Sequence, residues 1–246
     1  MKSAIAALLI GVITLSAAAD GTSARPLKLK GVKGEKPVFM MDGGQKDPKA
    51  KAMRMSGKAW SSAQITHDGA GIRLKKDMKQ MLTGVLPLAN RSFSCSVWIR
   101  PVTVLEPYSM VVANTTRPPC WGIRLFPVKP EGSFCTEVYY NWGVKGIPGQ
   151  LMRAKEKFQT GSWYFYTLTV DREKGVMSFY IDGKLIEEAK MPKEMPAFRE
   201  LFTVSSNPWF LDAQIYDLNF RPDVLSADQI AAQFEEGGKV LKDAKK

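Results

Sequence analysis

The chain is poor in cysteine and histidine, the residues that form disulfides and bind structural metal ions. Its 246 residues include only three cysteines and one histidine. The histidine is His67, and Cys95, Cys120 and Cys135 form no close pair of the spacing that zinc sites use. An odd number of cysteines also leaves one unpaired, however disulfides form. A chain of this length buries a full core without such links, so we expect a globular fold that needs no metal or disulfide.

Long hydrophobic runs are also missing. The most apolar segment follows Lys2, runs from Ala4 to Leu15 and ends in three alanines at 17–19. A membrane span needs about 20 apolar residues, whereas a basic start, a short apolar centre and small residues at the end are typical of a secretory signal. We therefore predict that residues 1–19 are a leader, that the protein is secreted or periplasmic, and that it has no integral membrane span after cleavage.

The centre of the chain has little net charge, although the whole chain carries a formal +11 at pH 7. Residues 25–58 hold ten Lys or Arg against three acidic residues, and the end from Gly237 holds four Lys against Asp243. Residues 59–236 balance twenty basic side chains with nineteen acidic ones. Nucleic-acid-binding domains concentrate basic residues on a folded face, so we expect no nucleic-acid partner. The basic flanks are expected to add salt-sensitive attraction to an acidic polysaccharide or envelope surface.

Strand patterns dominate after a basic linker, residues 20–36, which is rich in Lys, Gly and Pro. The segment SFSCSVWIR, residues 92–100, alternates apolar and polar side chains, and Pro101 is expected to end it. Residues 163–188 predict a three-stranded meander with a tight turn at Asp182-Gly183. Further strands are predicted over 121–126, 134–141 and 214–221, the first two joined by a turn near residues 129–132.

One helix is predicted near the end of the chain. Ser226 and Gln229 form a capping box, and Gly237-Gly238 is expected to end the helix. The charged stretch 73–81 is predicted as a loop. One short helix after many strands predicts an all-β protein, a two-sheet antiparallel sandwich. The predicted domain spans residues 37–236, and a basic tail follows over 237–246.

Three segments resemble a known family, and they occur in its order. They are SFSCSVWIRP (92–101), GSWYFYTLTVDREKGVMSFYIDGKL (161–185) and FRPDVLSADQIAAQF (220–234). On these motifs the chain resembles the laminin G-like domains of the concanavalin A-like lectin/glucanase superfamily. The resemblance implies a jelly roll of two sheets packed face to face, whose concave sheet commonly holds the ligand. It also implies proteins that bind glycans or protein partners, often with a calcium ion.

The sequence departs from the family's charged motifs. Bacterial members often carry two acidic residues in the last strand, where this chain has Tyr216 and Asp217. Calcium favours several oxygen ligands, so we expect no cofactor and keep calcium as an alternative. The Glu-x-Asp-x-x-Glu motif of the family's glucanases is absent, and glycoside hydrolysis needs two carboxylates set side by side. The carboxylate pairs present are Glu187 with Glu188, Glu235 with Glu236, and Glu131 with Glu137.

A polysaccharide lyase is the second enzyme alternative, since jelly-roll lyases use tyrosine and histidine or arginine. His67, Tyr139 and Tyr140 are the candidate residues. However, the stretch 64–67 is one residue longer than the Gln-Ile-His triplet of alginate lyases, and Asp68-Gly69 after it predicts a turn. We therefore favour a surface-loop histidine and a protein without catalytic residues, while leaving the enzyme question open.

Aromatic and arginine side chains supply the candidate ligand-binding residues. Tyr139 and Tyr140 face opposite sides of a strand, and Trp142 and Trp209 stand where strands meet loops. Arg100, Arg124 and Arg221 occupy polar-face positions from which a guanidinium binds a carboxylate or sulfate. The residues predicted to bind ligand are Tyr140, Trp142, Trp209 and Arg124.

Together these patterns predict an exported, non-catalytic binding module that recognises a glycan or a cell-surface protein. A polysaccharide lyase or hydrolase and an envelope scaffold that binds protein are the alternatives. The sequence leaves the oligomeric state open.

Overall fold

The computed structural model of the chain describes residues 39–42, 54–56, 59–61, 66–68 and 71–243, without positions 87, 89, 116 and 207. The predicted leader, 1–19, and the predicted linker, 20–36, lie outside the described residues. The described strands are β1 (Phe39–Asp42), β2 (Arg54–Ser56), β3 (Ala59–Ser61), β4 (Thr66–Asp68), β5 (Gly71–Leu74), β6 (Leu82–Val85), β7 (Phe93–Thr103), β8 (Ser109–Ala113), β9 (Cys120–Val128), β10 (Ser133–Asn141), β11 (Gln150–Arg153), β12 (Phe158–Gln159), β13 (Tyr164–Asp171), β14 (Val176–Ile181), β15 (Lys184–Lys190), β16 (Leu201–Val204) and β17 (Asp212–Arg221).

The described strands form two antiparallel sheets, which confirms the predicted all-β sandwich. The first sheet follows the order β15-β14-β13-β7-β17-β1-β2, and β5 joins it beside β17 with β4 alongside. The second sheet follows the order β11-β10-β9-β8-β16-β6-β3, and β12 also pairs with β10. Neighbours in each sheet are often far apart in sequence, as a jelly roll requires.

The core lies between the two sheets because alternate strand residues are apolar. Phe93, Cys95, Val97 and Ile99, the apolar side of β7, are all buried in it. Facing side chains come from β9, where Trp121 is fully buried. The predicted alternation of β7 is therefore confirmed.

The predicted meander is also confirmed. Strands β13, β14 and β15 pair in sequence, and the turn between the last two is Asp182-Gly183 with φ of 50° and 78°. Both values lie in the left-handed region, which Asp and Gly tolerate best. The Asp182 carboxylate accepts a hydrogen bond from the Phe165 main-chain N–H (2.8 Å). Burial raises the pKa of the Asp182 carboxyl, although this hydrogen bond and Lys184 oppose the shift.

Pro101 does not end β7, contrary to the prediction. The strand continues to Thr103, because the partner strand β17 shifts register between Asp212 and Ala213, next to Pro101. Proline lacks an N–H and is tolerated at such irregular pairings. The Pro101 carbonyl still accepts a hydrogen bond from the Gly161 N–H (2.7 Å).

Helix α1 runs from Ala227 to Asp243, so the predicted end at Gly237-Gly238 is wrong and much of the predicted tail is helical. The start is as predicted, because the Ser226 N–H donates to Gln229 Oε1 (2.8 Å) and the Gln229 N–H to Ser226 Oγ (3.3 Å). Its apolar side covers the outer face of the first sheet, where it packs on Trp98 and Phe165. No helix among the described residues is long and apolar enough to cross a membrane.

The hairpin of β9 and β10 fixes the positions of two cysteines. Cys135 pairs with Phe126, and Cys120 pairs with Asn141. Along the strands this separates the two cysteines by about 20 Å, and all three cysteines are free.

We expect Cys135 to be alkylated first in the folded protein. It is half-buried, whereas Cys95 and Cys120 are fully buried. Burial raises the pKa of the Cys120 thiol to about 11 and raises that of Cys95 further, so neither forms the reactive thiolate at pH 8. Mass spectrometry after iodoacetamide treatment at pH 8 should show one adduct in buffer and three in urea. Rapid addition of two labels in buffer, or of one label to Cys135→Ser, would contradict the expected order.

Candidate functional site

Three adjacent strands bring two arginines and a glutamate together on the outer face of the second sheet. Glu137 of β10 pairs directly with Arg124 of β9 and with Arg153 of β11. Its neighbours Thr136 and Val138 point the other way, into the core. Because side chains alternate along a strand, Arg124, Glu137 and Arg153 share the outer face.

The Glu137 carboxylate holds both guanidinium groups. Arg124 Nε and Nη2 each lie 2.5 Å from Oε1. Arg153 Nε and Nη2 lie 2.9 and 2.6 Å from Oε2. The Glu137 side chain is fully buried, while Arg124 is 17% and Arg153 53% exposed. The cluster therefore carries a net positive charge, and its more exposed part belongs to Arg153.

Aromatic rings flank both guanidinium groups. The Arg124 guanidinium lies 4.3 Å from the ring centre of Tyr108 and 5.0 Å from that of Tyr139. The Arg153 guanidinium lies 5.0 Å from the ring centre of Phe126. Cations are attracted to ring faces at these distances. We call these residues the arginine–tyrosine surface: Tyr108, Arg124, Phe126, Glu137, Tyr139 and Arg153.

Glycines let the surrounding side chains lie flat on the sheet. A Cβ at Gly149 would be 2.6 Å from the Tyr139 hydroxyl oxygen, so this ring packs directly against the main chain. A Cβ at Gly122 would be 2.9 Å from Met110 Sδ. Tyr139 and Met110 therefore lie directly against the main chain of a glycine, and a larger residue at either position would require them to shift. Tyr108 keeps 42% of its surface exposed, although the Arg124 guanidinium lies over one face of its ring.

A comparison of the sequence with models of protein families assigns this chain to a family. Residues 69–231, more than half of the chain, match a laminin G profile described as the concanavalin A-like lectin/glucanases superfamily. This chain belongs to that superfamily. The laminin G-like resemblance of the sequence motifs is therefore confirmed. A comparison with curated proteins found no match.

Solved structures of receptor-binding domains resemble this laminin G-like chain. The binding domain of botulinum neurotoxin DC in complex with rat synaptotagmin II aligns at 16% identity with a TM-score of 0.60, over 81% of this chain and 51% of that one. The serotype D binding domain aligns at 15% identity with a TM-score of 0.62, over 81% and 51%. A third structure, titled for the dependence of botulinum neurotoxin type C entry on two ganglioside molecules, aligns at 14% identity with a TM-score of 0.60, over 81% and 50%. This chain thus spans about half the length of these structures, and the similarity establishes the fold.

The laminin G-like sandwich places the four predicted ligand residues in three different environments. Arg124 lies on the arginine–tyrosine surface. Tyr140 and Trp142 are 4% and 1% exposed and contact each other in the core, with ring centres 4.6 Å apart. The expectation that they present open rings is therefore wrong. They follow Val138 at every second position, so the inward alternation of β10 continues one residue past its end.

Tyr140 is also held chemically in the core. Its hydroxyl donates to Gln150 Oε1 (2.9 Å), and burial, followed by the nearby Glu187 carboxylate, raises the pKa of the phenol. A raised pKa disfavours the phenolate that a catalytic base requires. Of the two tyrosines predicted to face opposite sides, Tyr139 is the one on the outer face.

Trp209 lies at one end of the sandwich, half-buried, and its carbonyl accepts a hydrogen bond from the Met110 N–H (3.0 Å). Its neighbours Pro208 and Phe210 line a cleft of about 520 Å³. Lys76 and Glu106, paired at 2.5 Å, line the same cleft. Trp209 therefore stands beside this end cleft and not among the aromatic rings around Arg124.

The remaining candidates have structural partners. Arg100 donates to the Gly161 carbonyl (2.9 Å) and to Gln214 Oε1 (3.1 Å). Arg221 is buried and pairs with Asp223 (3.1 Å). His67 lies in β4, where its main chain pairs with that of Ile72, so it belongs to a strand and not to a loop.

The two positions of the family's acidic motif lie in β17. Tyr216 is buried against the helix side of the first sheet, and Asp217 adopts a left-handed φ of 48°. Among the described residues, no group of three or more His, Cys, Asp or Glu is placed to hold a metal ion.

Four residues of the surface did not emerge from the sequence as ligand candidates: Tyr108, Phe126, Glu137 and Arg153. Arg153 belongs to a four-residue strand too short for a periodic signal, and Tyr108 precedes β8 in a loop. Glu137 was considered only as a partner of Glu131. The spacing Arg-x₁₂-Glu-x₁₅-Arg carries no signal of its own, because the three meet only through the registers of two strand pairs.

Proposed function

We propose that this chain is an exported, non-catalytic binding module that recognises a glycan through the arginine–tyrosine surface. The observation that carries the proposal is the exposed Tyr108 ring beside two guanidinium groups on an outer sheet face. Sugars offer C–H faces to aromatic rings and hydroxyls to charged donors. Membership of a lectin-containing superfamily supports the proposal. The structurally similar neurotoxin structures support it too, since one is a binding domain in complex with rat synaptotagmin II and another is titled for the dependence of cell entry on interaction with two ganglioside molecules.

The geometry of Glu137 also favours binding over hydrolysis at this surface. Both of its oxygens are bonded to arginines and its side chain is fully buried. A catalytic carboxylate must reach the glycosidic oxygen or the anomeric carbon. Glu137 therefore acts as a positioning residue for the two guanidinium groups.

We expect Tyr108→Ala to weaken glycan binding about tenfold, because the variant removes the exposed ring face. The protein without residues 1–19 is first screened on a glycan array, and the affinities of bound glycans are measured by calorimetry. Leu185→Ala is the matched control, since Leu185 is 51% exposed on β15 of the other sheet and should leave affinity unchanged.

Three outcomes would overturn parts of the proposal. An empty array with a specific protein captured by pull-down would favour the envelope scaffold instead. New reducing ends, or absorbance from unsaturated sugar, would show a hydrolase or lyase. Retention of the leader on protein recovered from the cytoplasm would contradict export.

A further inference from the structure

Each of the two guanidinium groups has hydrogen-bond donors that Glu137 does not use. Arg124 and Arg153 each use Nε and Nη2 on Glu137, and no described residue accepts a hydrogen bond from Nη1 of either side chain. One carboxylate thus neutralises one of two permanent positive charges. Glu187 adds a second carboxylate beside Arg153; its Oε2 accepts from the Arg153 main-chain N–H (2.9 Å), so it leaves the donors at Nη1 available.

The more exposed guanidinium is held in a fixed orientation. Two hydrogen bonds to Glu137 Oε2 and the Phe126 ring limit the rotation of Arg153, although its side chain is 53% exposed. A fixed planar fork loses less conformational entropy on binding than a free side chain does. Carboxylates and sulfates are the groups that match such a fork.

Building on the proposed function, we infer that the arginine–tyrosine surface selects acidic glycans, with Arg153 Nη1 donating to a carboxylate or sulfate of the sugar. The Tyr108 ring contacts the sugar face, and Arg124 contributes positive charge from the less exposed side of Glu137. A surface that presents an oriented guanidinium between aromatic rings complements the anionic group of an acidic sugar and gains less from a neutral one. The basic flanks are not needed for this selection, because the charge of the site comes from folded residues.

Matched pairs of polysaccharides test the inference. Dextran sulfate is compared with dextran, and polygalacturonate with its highly methyl-esterified form, so that each pair shares a backbone and differs in charge. We expect at least tenfold tighter binding to the acidic member of one or both pairs, and the pairs distinguish a sulfate ligand from a carboxylate ligand. Raising the salt concentration should weaken this binding.

Arg153→Gln should weaken binding to the acidic glycan about tenfold and weaken any binding to the neutral partner much less. Arg153→Lys should recover only part of the affinity, because lysine keeps the charge but loses the fork. Arg199→Gln removes the same charge from an exposed position after β15 and should have little effect. Circular dichroism and thermal unfolding establish that each variant is folded.

The possible failures are distinguishable. Equal affinity for acidic and neutral members would overturn the inference while leaving glycan binding intact. An equal loss in Arg199→Gln and Arg153→Gln would also overturn it, because the effect would then follow net charge alone. The absence of binding to any glycan, neutral or acidic, would overturn the proposed function as well.

Discussion

Glu137→Gln should destabilise the protein by about 2–4 kcal/mol in equilibrium urea unfolding. Each oxygen of the Glu137 carboxylate accepts from one arginine, whereas glutamine has one acceptor oxygen and one N–H₂ donor. One guanidinium would therefore face another donor at the fully buried side chain of residue 137. Removing one partner of a buried ion pair costs about 3–5 kcal/mol, and the exposure of Arg153 reduces the expected loss.

The control for this variant is Glu173→Gln in the exposed turn between β13 and β14, which should change stability by no more than about 0.5 kcal/mol. Arg124→Gln alone and combined with Glu137→Gln completes a double-mutant cycle. We expect the combined loss to be clearly smaller than the sum of the single losses, because the second substitution removes a group that the first has left unpaired. A stability of Glu137→Gln equal to that of the parent would contradict the ion cluster as described.

Gly237→Ala should destabilise the protein by about 2 kcal/mol, although alanine is the better helix former. A Cβ at residue 237 would lie 2.4 Å from Trp98 Nε1 and 2.8 Å from Cε2. The indole has no room to move, because it is 3% exposed and packs between Phe165 and Phe234, at 5.1 and 5.6 Å. Overpacking of this kind costs about 1–3 kcal/mol and forces α1 away from the sheet.

Gly238 provides the matched control, because alanine at this position should raise the stability and not lower it. A Cβ at Gly238 would lie 3.8 Å from Trp98 Cη2, an ordinary contact, and alanine in a helix interior is favoured over glycine by about 0.8–1.0 kcal/mol. Gly238→Ala should therefore raise the unfolding midpoint while Gly237→Ala lowers it. Adding Trp98→Phe to Gly237→Ala should restore part of the loss, since the indole N–H has no hydrogen-bond partner among the described residues. Equal gains from both alanines would refute the close approach.

The same pair of glycines explains one failure of sequence reasoning. Consecutive glycines lower helix propensity, so local rules predict an end at Gly237-Gly238. The helix continues because its apolar side is bound to the sheet, and Gly237 is required for the contact with Trp98. Tertiary packing here outweighs local helix propensity. The reason is the contact with Trp98, which lies 139 positions earlier in the chain and cannot be found from the local sequence.

The fold was more predictable than the site, because local sequence patterns determine the strands and turns whereas strand register determines which residues meet at the site. Strand alternation over residues 93–99 and the turn at Asp182-Gly183 are local patterns, and both were predicted correctly. The arginine–tyrosine surface depends on the register between β10 and β11 across an eight-residue connection. Tyr140 and Trp142 were wrongly predicted to be exposed for a related reason. Side chains alternate between the two faces of a strand, so an aromatic residue beside polar neighbours is buried or exposed according to whether its position faces the core.

The position of α1 also determines whether its lysines can influence the arginine–tyrosine surface. The helix covers one outer face of the sandwich, and the arginine–tyrosine surface lies on the opposite outer face. Two sheets about 10 Å apart and a helix about 10 Å wide separate them by more than the screening length of about 8 Å in physiological salt. Lys239, on the C-terminal half of α1, thus adds little local field at the arginine–tyrosine surface. Immobilising the protein through the solvent-facing side of α1 would consequently leave the arginine–tyrosine surface turned toward solvent, which is the orientation that surface plasmon measurements of polymer binding require.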